Sequence, residues 1–328
     1  MTVNHKIGGI LLNIIVRSET IDDYHQIAQI HAMAFSNSSG MEEAALVSLH
    51  RNRRQHDPDL SLVAVHENQI IGHVLFHPRK VMVGGHGHKA VILAPIAVQP
   101  EYQNSGIGRK LIEEGLERAE MKGYAFSILL GHPSYYPRFG YQTNMFGICG
   151  IKIMLNESKE AANIVERKAT CNDLGKLSDL WDQWFDDVDL AMYPGDDLTD
   201  WLSPDKKINC SVFEINNKFA GYVRYEKDQP ENVKMFLATD KHAAQEILKT
   251  LSMQIDNQNA IFLPVHPESN KTIEVFQNEG QTDCKTWEAA MIRVLDKENK
   301  QIADYCNEVK NHQRLPGLLS WPVEFDVC

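Results

Sequence analysis

The chain has 328 residues, 43% of them hydrophobic and 23% charged, which is ordinary for a soluble globular protein and long enough for two domains. It contains no run of about 18 apolar residues, so no membrane-spanning helix and no membrane partner are predicted. The net charge of −11 lies wholly in residues 158–328, because residues 1–157 hold equal numbers of Lys/Arg and Asp/Glu. We therefore expect no nucleic-acid partner, and we expect any phosphate-rich ligand in the first half.

The first half alternates strand and helix patterns, which predicts an α/β fold with a mixed (α+β) sheet and helices on its faces. The predicted elements in chain order are a strand at 11–18, helices at 20–35 and 41–54, strands at 60–66, 69–76 and 90–98, a helix at 106–122, a strand at 126–131, a short helix near Ser134, and closing strands that run to Leu155. Glu67-Asn68 predicts a tight turn, and residues 84–88 form a Gly/His-rich loop.

The N-terminus and the cysteines predict where the protein resides. The apolar stretch at 10–16 is interrupted by Asn13 and lacks the flanks of a signal peptide, so it indicates a first strand. The six cysteines show no CxxC spacing, which is typical of reduced thiols. We expect a cytoplasmic protein.

The chain repeats itself, which predicts two related domains. Several positions of the first half recur 149 or 150 residues later, among them Arg17, Thr20 and Asp23 as Arg167, Thr170 and Asp173, and Asn68, Gly72 and Val74 as Asn217, Gly221 and Val223. His132-Pro133 recurs as His266-Pro267, and the interval shrinks across the stretch that holds a glycine loop in the first copy. The second copy therefore keeps the sheet pattern and loses that loop.

The glycine loop carries the clearest chemical signal. Gln103-Asn104-Ser105-Gly106-Ile107-Gly108 follows a predicted strand and opens a predicted helix. Glycines allow close approach of the backbone, and the first helical N–H groups point outward at the positive helix end, which predicts a diphosphate site. A Rossmann fingerprint would need a glycine where Leu111 stands, and a Walker loop would need Gly-Lys-Ser/Thr.

The neighbours of this loop resemble a known family. The strand 93–98, the Gln-x-x-Gly-x-Gly loop and the segment Leu-Leu-Gly-His-Pro-Ser-Tyr-Tyr-Pro-Arg-Phe-Gly-Tyr at 129–141 resemble the GNAT superfamily of N-acetyltransferases, over roughly residues 12–155. The second half resembles a degenerate GNAT copy. The interpretation is two tandem GNAT-like domains, with a catalytic domain at 1–157 and a degenerate domain with a C-terminal tail at 158–328.

The resemblance implies how acetyl-CoA, the acyl donor, would bind. The strands at 90–98 and 126–131 would splay apart and admit the pantetheine as an extra strand. The backbone of Ile96, Ala97 and Val98 would hydrogen-bond the pantetheine and help polarise the thioester. The backbone N–H groups of Asn104, Ser105, Gly106, Ile107, Gly108 and Arg109 would take the diphosphate, and Gln103 stands at the family's Arg/Gln position.

A proton donor for the departing thiolate is also implied by the resemblance. GNAT proteins commonly place a tyrosine in a Tyr-x-x-x-Gly-aromatic pattern, which here is Tyr136-Pro-Arg-Phe-Gly140-Tyr141. Tyr136 is therefore the expected catalytic acid. Tyr135 is its rival, and a packing role is the alternative.

The general base is left open by the sequence. The strand 90–98 carries no Asp or Glu, and His132, His73 and Glu43 are the candidates. No metal is expected, because His86 and His88 lie on a glycine loop without a third ligand.

The function that the resemblance implies is direct transfer of acetyl to an amine in a ternary complex, since no cysteine lies in the motif region for a covalent intermediate. The second domain is expected to shape the acceptor cleft or a homodimer interface. The alternatives are a non-catalytic acyl-CoA sensor and an interaction protein. A small amine, an aminoglycoside-like polycation, a peptide N-terminus and a protein lysine all remain open as acceptors.

The C-terminal segment shows a period-2 apolar pattern. Trp321, Val323, Phe325 and Val327 alternate with smaller or polar residues, which predicts an ordered, half-buried extended tail limited by Pro322 to an edge. The tail could seal the core of the second domain. By analogy with some tandem GNAT enzymes, the carboxylate of Cys328 could instead serve as the base.

Overall fold

The computed structural model describes residues 2–7, 10–37, 40–155, 164–255, 260–277 and 279–328. The strands are β1 (Thr2–Ile7), β2 (Ile10–Ser18), β3 (Ser61–His66), β4 (Gln69–Val83), β5 (His86–Val98), β6 (Phe126–Leu130), β7 (Gly147–Met154), β8 (Ile164–Lys168), β9 (Ile208–Ile215), β10 (Lys218–Glu226), β11 (Val233–Ala238), β12 (Ala260–Leu263), β13 (Gln281–Thr286) and β14 (Ala290–Val294). The α-helices are α1 (Tyr24–Ala34), α2 (Glu42–Arg51), α3 (Ile107–Met121), α4 (Leu174–Phe185), α5 (Lys241–Ser252), α6 (Asn270–Phe276) and α7 (Lys300–Lys310). Among the described residues, no helix has both the length and the apolar character needed to cross a bilayer.

The largest sheet has the order β1-β2-β3-β4-β5-β6-β14, and its only parallel neighbours within the described chain are β5 and β6. Consecutive residues of β3 enter cores on opposite faces, because side chains alternate along a strand. Leu62 packs in the cluster with Leu111 of α3, whereas Val63 packs in the cluster with Ile27 of α1. The predicted mixed sheet with helices on its faces is confirmed.

Two strands of this sheet differ from the prediction. β4 and β5 run on from the predicted strands to a turn at Gly84-Gly85, whose positive φ angles of 59° and 72° suit glycine. The Gly/His-rich segment is therefore the tip of a long hairpin rather than a loop. β1, which precedes the predicted first strand, was not predicted.

The two halves exchange their last strands. β7 of the first half lies between β12 and β13, and β14 of the second half pairs with β6. Each half therefore completes a sheet of the other. The expected domain boundary at 157/158 lies outside the described residues. A division there would separate two halves that each supply a strand to a sheet of the other.

The same ion pair begins each half. Arg17 contacts both carboxylate oxygens of Asp23 at 2.6 and 2.8 Å, and Arg167 contacts both of Asp173 at 2.8 and 2.7 Å. In each half a threonine, Thr20 or Thr170, forms a capping box with that aspartate at the start of a 3-10 turn that leads into a helix. The positions that recur in the sequence thus build the same local structure twice.

One pair of cysteines differs from the expectation. Cys149 of β7 and Cys284 of β13 are direct partners in the register of the two strands, and their sulfur atoms are bonded. The expectation of reduced thiols is therefore wrong for these two residues. Cys171, Cys210, Cys306 and Cys328 are free.

The tail after Pro322 is ordered but is not an extended strand. Val323–Val327 forms a 3-10 helix, so the neighbours Val323 and Glu324 are both buried, which strand alternation would not allow. Glu324 binds two arginines of the first half, Arg79 at 2.5 Å and Arg53 at 2.8 Å. The tail therefore closes onto the first half rather than sealing only the second core.

Candidate active site

The site begins where β5 and β6 part. The two strands pair only through Ala90–Phe126, Val91–Ser127 and Ile92–Ile128. Beyond Ile92, β5 keeps its partner β4, with His73 opposite Ala97, and the described residues supply no strand on its other side. The backbone edge of Ile96, Ala97 and Val98 can therefore receive an extended ligand as an added strand.

The loop from Gln103 to Gly108 follows a 3-10 turn at Pro100–Tyr102 and begins α3. Asn104 and Gly106 have left-handed backbones with φ of 59° and 84°. Gly106 is the N-cap of α3, and no side-chain cap is found at this end in the described structure. The first N–H groups of α3, from Ile107, Gly108 and Arg109, are thus presented at the positive end of a 15-residue helix.

Side chains around the loop fix its shape and add positive charge. The Gln103 amide donates to Val98 O at 3.2 Å and ties the loop to the end of β5. The Ser105 hydroxyl donates to Tyr102 O in the 3-10 turn that precedes the loop. Arg109 is exposed beside the helix end, and the Arg138 guanidinium lies 4.6 Å from the centre of the Tyr135 ring. This arrangement fits an anion with several oxygens.

Tyr135 and Tyr136 occupy different positions near the parted strands. A Cβ atom on Gly108 would lie 3.2 Å from the Tyr135 hydroxyl, so Tyr135 stands against the first turn of α3. The Tyr136 ring packs under Gly131, directly after β6, where a Cβ atom would overlap it. Burial, with a smaller contribution from Tyr135, raises the pKa of Tyr136 to about 12. Tyr136 therefore holds its proton at neutral pH, as an acid that acts late in a reaction must.

A cavity of about 510 Å³ opens at the mouth of the parted strands. Ala94 of β5 and Leu130 of β6 line this cavity, and so do Arg224 and Phe262 of the second half. Trp321 and further residues of the tail complete the wall. The second half and the tail thus contribute directly to the space next to the candidate reaction centre.

The three candidate bases lie in different surroundings. His73 is fully buried and bonds His31 at 2.9 Å and Ser61 at 2.9 Å, which places it in a closed polar network behind the sheet. His132 is exposed and does not line the cavity. Glu43 lines the cavity, on α2, one turn before Leu46, which lines it too.

A buried polar cluster contains Glu324, the chain neighbour of the cavity-lining residue Phe325. The rings of His50 and His77 are tilted by 30° with centres 3.9 Å apart, and with Glu324 they offer three ligand atoms within 4.8 Å of one another. Burial, aided by Arg79, lowers the pKa of both histidines well below 6.5. Because Arg53 and Arg79 already bind Glu324, a cation here would have to displace two guanidinium groups.

Of the second half, sequence reasoning named only the carboxylate of Cys328, a residue that lines the cavity, and it missed Arg224 and Trp321 as site residues. Arg224 and Trp321 reach the cavity only because the strand exchange and the tail bring them there. The alternating tail pattern indicated an ordered segment, and no local signal indicated its destination.

Parted parallel strands beside a helix that begins at an uncapped glycine are the arrangement that the resemblance to the GNAT superfamily implies. Residues 15–143 match the acetyltransferase (GNAT) domain. The first half of the chain thus contains a GNAT acetyltransferase domain.

Curated relatives agree with this assignment. The chain is 38% identical over 121 residues to the uncharacterized N-acetyltransferase YjhQ of Escherichia coli K12. The matched region covers 37% of this chain and 65% of YjhQ. It is 43% identical over 84 residues to the uncharacterized N-acetyltransferase YhbS of the same strain, and this matched region covers 25% of this chain and 49% of YhbS. The chain thus spans about half to two thirds of these relatives.

The fold of both halves is similar to that of a solved structure. A GCN5-related N-acetyltransferase from Kribbella flavida superposes with a TM-score of 0.61 at 19% identity, over 87% of this chain and 72% of that one. At this identity the likeness concerns the fold, which extends over both halves.

Proposed function

We propose that the protein transfers an acetyl group from acetyl-CoA to an amine by direct attack in a ternary complex. The observation that carries the proposal is the combination of the open β5 edge with the uncapped N-terminus of α3. The first suits an extended pantetheine, and the second suits a diphosphate.

In this proposal the chain holds the donor mainly through its backbone. Ile96, Ala97 and Val98 bind the pantetheine amides and orient the thioester. The N–H groups from Asn104 to Arg109 bind the diphosphate, with Gln103 keeping the loop against β5.

The chemical step exchanges one bond for another. The amine nitrogen attacks the thioester carbonyl carbon, a C–N bond forms, and the C–S bond breaks. Tyr136 donates its proton to the departing thiolate, and the amine loses one proton to the surrounding medium or to Glu43. Tyr136 is proposed for this role because it stays protonated and lies at the end of β6. Tyr135, at the first turn of α3, is the alternative donor.

The test is to measure thiol release from acetyl-CoA with a panel of amines, together with calorimetric binding of acetyl-CoA to the same preparation. We expect binding of acetyl-CoA and amine-dependent thiol release. Binding without release for every amine would instead support an acyl-CoA sensor. Absence of both would overturn the proposal.

A further inference from the structure

The C-terminal tail is held by three buried arginines from three different parts of the fold. Arg79 of β4 and Arg53, which follows α2, bind the Glu324 carboxylate at 2.5 and 2.8 Å. Arg224 of β10, in the second half, donates to Trp321 O at 2.7 Å. The side chains of the three arginines and of Glu324 are at most 7% exposed. The tail is therefore tied to both halves by buried polar contacts.

The chain neighbours of Glu324 face the cavity at the mouth of the parted strands. Glu324 itself does not line this cavity, but four other residues of the tail do, namely Trp321, Phe325, Asp326 and Cys328. Val323–Val327 forms a 3-10 helix, in which successive side chains lie about 120° apart around the axis. Glu324 can therefore bind its arginines while the residues that follow it line the cavity. An anchor at Glu324 determines where those cavity-lining side chains stand.

The tail lies against α2, which supplies another part of the cavity wall. Glu43 and Leu46 of α2 line the cavity, and the Phe325 ring meets the His50 ring edge-on with centres 5.2 Å apart. The Cys328 thiol lies beside the start of α2, because burial, with smaller contributions from Glu43 and its neighbour, raises the pKa of this thiol to about 12. The position of the tail relative to α2 therefore sets the shape of this part of the cavity.

We propose that Glu324 is a positioning residue for the acceptor side of the site, where its ion pairs with Arg79 and Arg53 hold the tail in place as a wall of the cavity. This inference rests on the proposed acetyl transfer. The donor site does not depend on the tail, because the β5 edge at 96–98 and the loop at 103–108 belong to the first half and do not line this cavity. Loss of the anchor should therefore impair the use of the amine and leave acetyl-CoA binding intact.

Kinetics of Glu324→Gln test this separation. The variant keeps the shape of the side chain and deprives two buried guanidinium groups of a carboxylate. We expect kcat/KM for the amine to fall roughly 10- to 100-fold, because a displacement of about 1 Å in a positioned group can cost that much. The Kd of acetyl-CoA in calorimetry should stay within about twofold. The amine is the one that reacts fastest among phenethylamine, spermidine and glycyl-lysine. Glu324→Asp keeps the charge and should recover part of the loss.

Asp173→Asn is the matched control for a broken buried ion pair. The Asp173 side chain is 3% exposed, is bound by Arg167 in the second half and lies outside the cavity wall. Activities are compared per folded protein, with the folded fraction taken from urea titrations. Asp173→Asn should lose stability and keep kcat/KM for the amine. Equal losses of kcat/KM in the two variants, unchanged kcat/KM in Glu324→Gln, or weakened acetyl-CoA binding in Glu324→Gln would overturn the inference.

Digestion with carboxypeptidase Y follows the tail directly. The enzyme can pass Phe325 only when the tail opens locally, so the rate of digestion reports how firmly the tail is held. Mass spectrometry of the native protein should show removal of Phe325 at least about tenfold faster in Glu324→Gln than in the wild type. Asp173→Asn should be digested like the wild type. Equal rates in Glu324→Gln and the wild type would mean that Glu324 does not hold the tail.

Failure of the inference can be distinguished from failure of the proposed function. If the wild type transfers acetyl and Glu324→Gln does so equally well, the transfer stands and the positioning role is wrong. If the wild type neither binds acetyl-CoA nor releases its thiol with any amine, the transfer is wrong and the positioning role fails with it.

Discussion

Each half contains a helix, α3 in the first and α5 in the second, and the two helices begin with different residues at the N-cap. In the first half, α3 begins at Gly106 with a left-handed backbone and no side-chain cap. In the second half, α5 begins at Asp240, whose carboxylate accepts the N–H of Ala243 at 2.8 Å. A carboxylate at this place takes the amides and the positive helix end that a phosphate would use.

The comparison indicates how the start of a helix can be closed to an anion while the helix itself is kept. Replacing a glycine cap by an aspartate stabilises the helix and closes the anion site in the same step. A second difference also removes a feature of the first site. Asn270 stands at the position that corresponds to Tyr136, begins α6 and donates its backbone N–H to Asp187. The second half contributes residues to the wall of the cavity next to the first site.

The largest expected effect comes from closing the first site. Gly106→Glu puts a side chain and a negative charge where φ is 84° and a diphosphate is expected, so calorimetry should detect no acetyl-CoA binding. Gly123→Glu is the matched control, since Gly123 follows the other end of α3, has φ of 75° and faces open space. Loss of binding in both variants would show a general defect of α3, and retained binding in Gly106→Glu would remove this loop from the site.

The next effect concerns the proton donor. Tyr136→Phe should lower turnover by roughly 10²–10⁴-fold and leave acetyl-CoA affinity nearly unchanged, because only the departing thiolate needs the hydroxyl. Tyr141→Phe is the control for a buried tyrosine, as its hydroxyl bonds Ser127 at 2.7 Å. If Tyr135→Phe loses turnover and Tyr136→Phe does not, the donor is Tyr135.

A third prediction concerns acid stability, which the first half should determine. Burial lowers the pKa of its four enclosed histidines, His31, His50, His73 and His77. Unfolding lets them bind protons below their ordinary pKa of about 6.5, so the free energy of unfolding should fall as pH decreases below that value. Each histidine contributes a slope of up to ~1.4 kcal/mol per pH unit.

Urea titrations between pH 8 and pH 5 measure this slope. His77→Leu should reduce it by about one proton, whereas His25→Gln, at an exposed position, should leave it unchanged. A free energy of unfolding that stays constant from pH 8 to pH 5 would contradict the prediction.

The smallest effect belongs to the second half. Asp240→Ala removes a helix cap and should cost ~1 kcal/mol of stability, whereas Asp240→Ser keeps a capping oxygen and should cost less. Thermal unfolding measures the difference. Neither variant should acquire a second acetyl-CoA site, because His242 stands where the first half has Gly108 and no glycine is restored. A second site in Asp240→Ala would mean that the cap alone closes it.

The sequence predicted the parts of the fold that depend on local pattern. The paired motif of Arg17 and Asp23 with Arg167 and Asp173, and the glycine loop before α3, were predicted correctly because each is encoded within a few residues. The tail was predicted to be ordered and is, but its pattern of apolar residues did not distinguish a strand from the 3-10 helix at Val323–Val327.

What the sequence did not predict depends on distant partners. The exchange of β7 and β14, the bond between Cys149 and Cys284, and the burial of Glu324 by Arg79 all join residues more than 100 positions apart. Local periodicity carries no information on such pairing. A contribution of the second half to the acceptor cleft was expected, but the residues that line the cavity follow from these contacts and could not be predicted for the same reason.

The most direct test of the central claim is the number of acetyl-CoA molecules that bind per chain. The difference between the Gly106 and Asp240 helix starts predicts one molecule per chain in calorimetry of the wild type, and none in Gly106→Glu. Two molecules per chain, or one that persists in Gly106→Glu, would contradict the claim that only the first half retains the donor site.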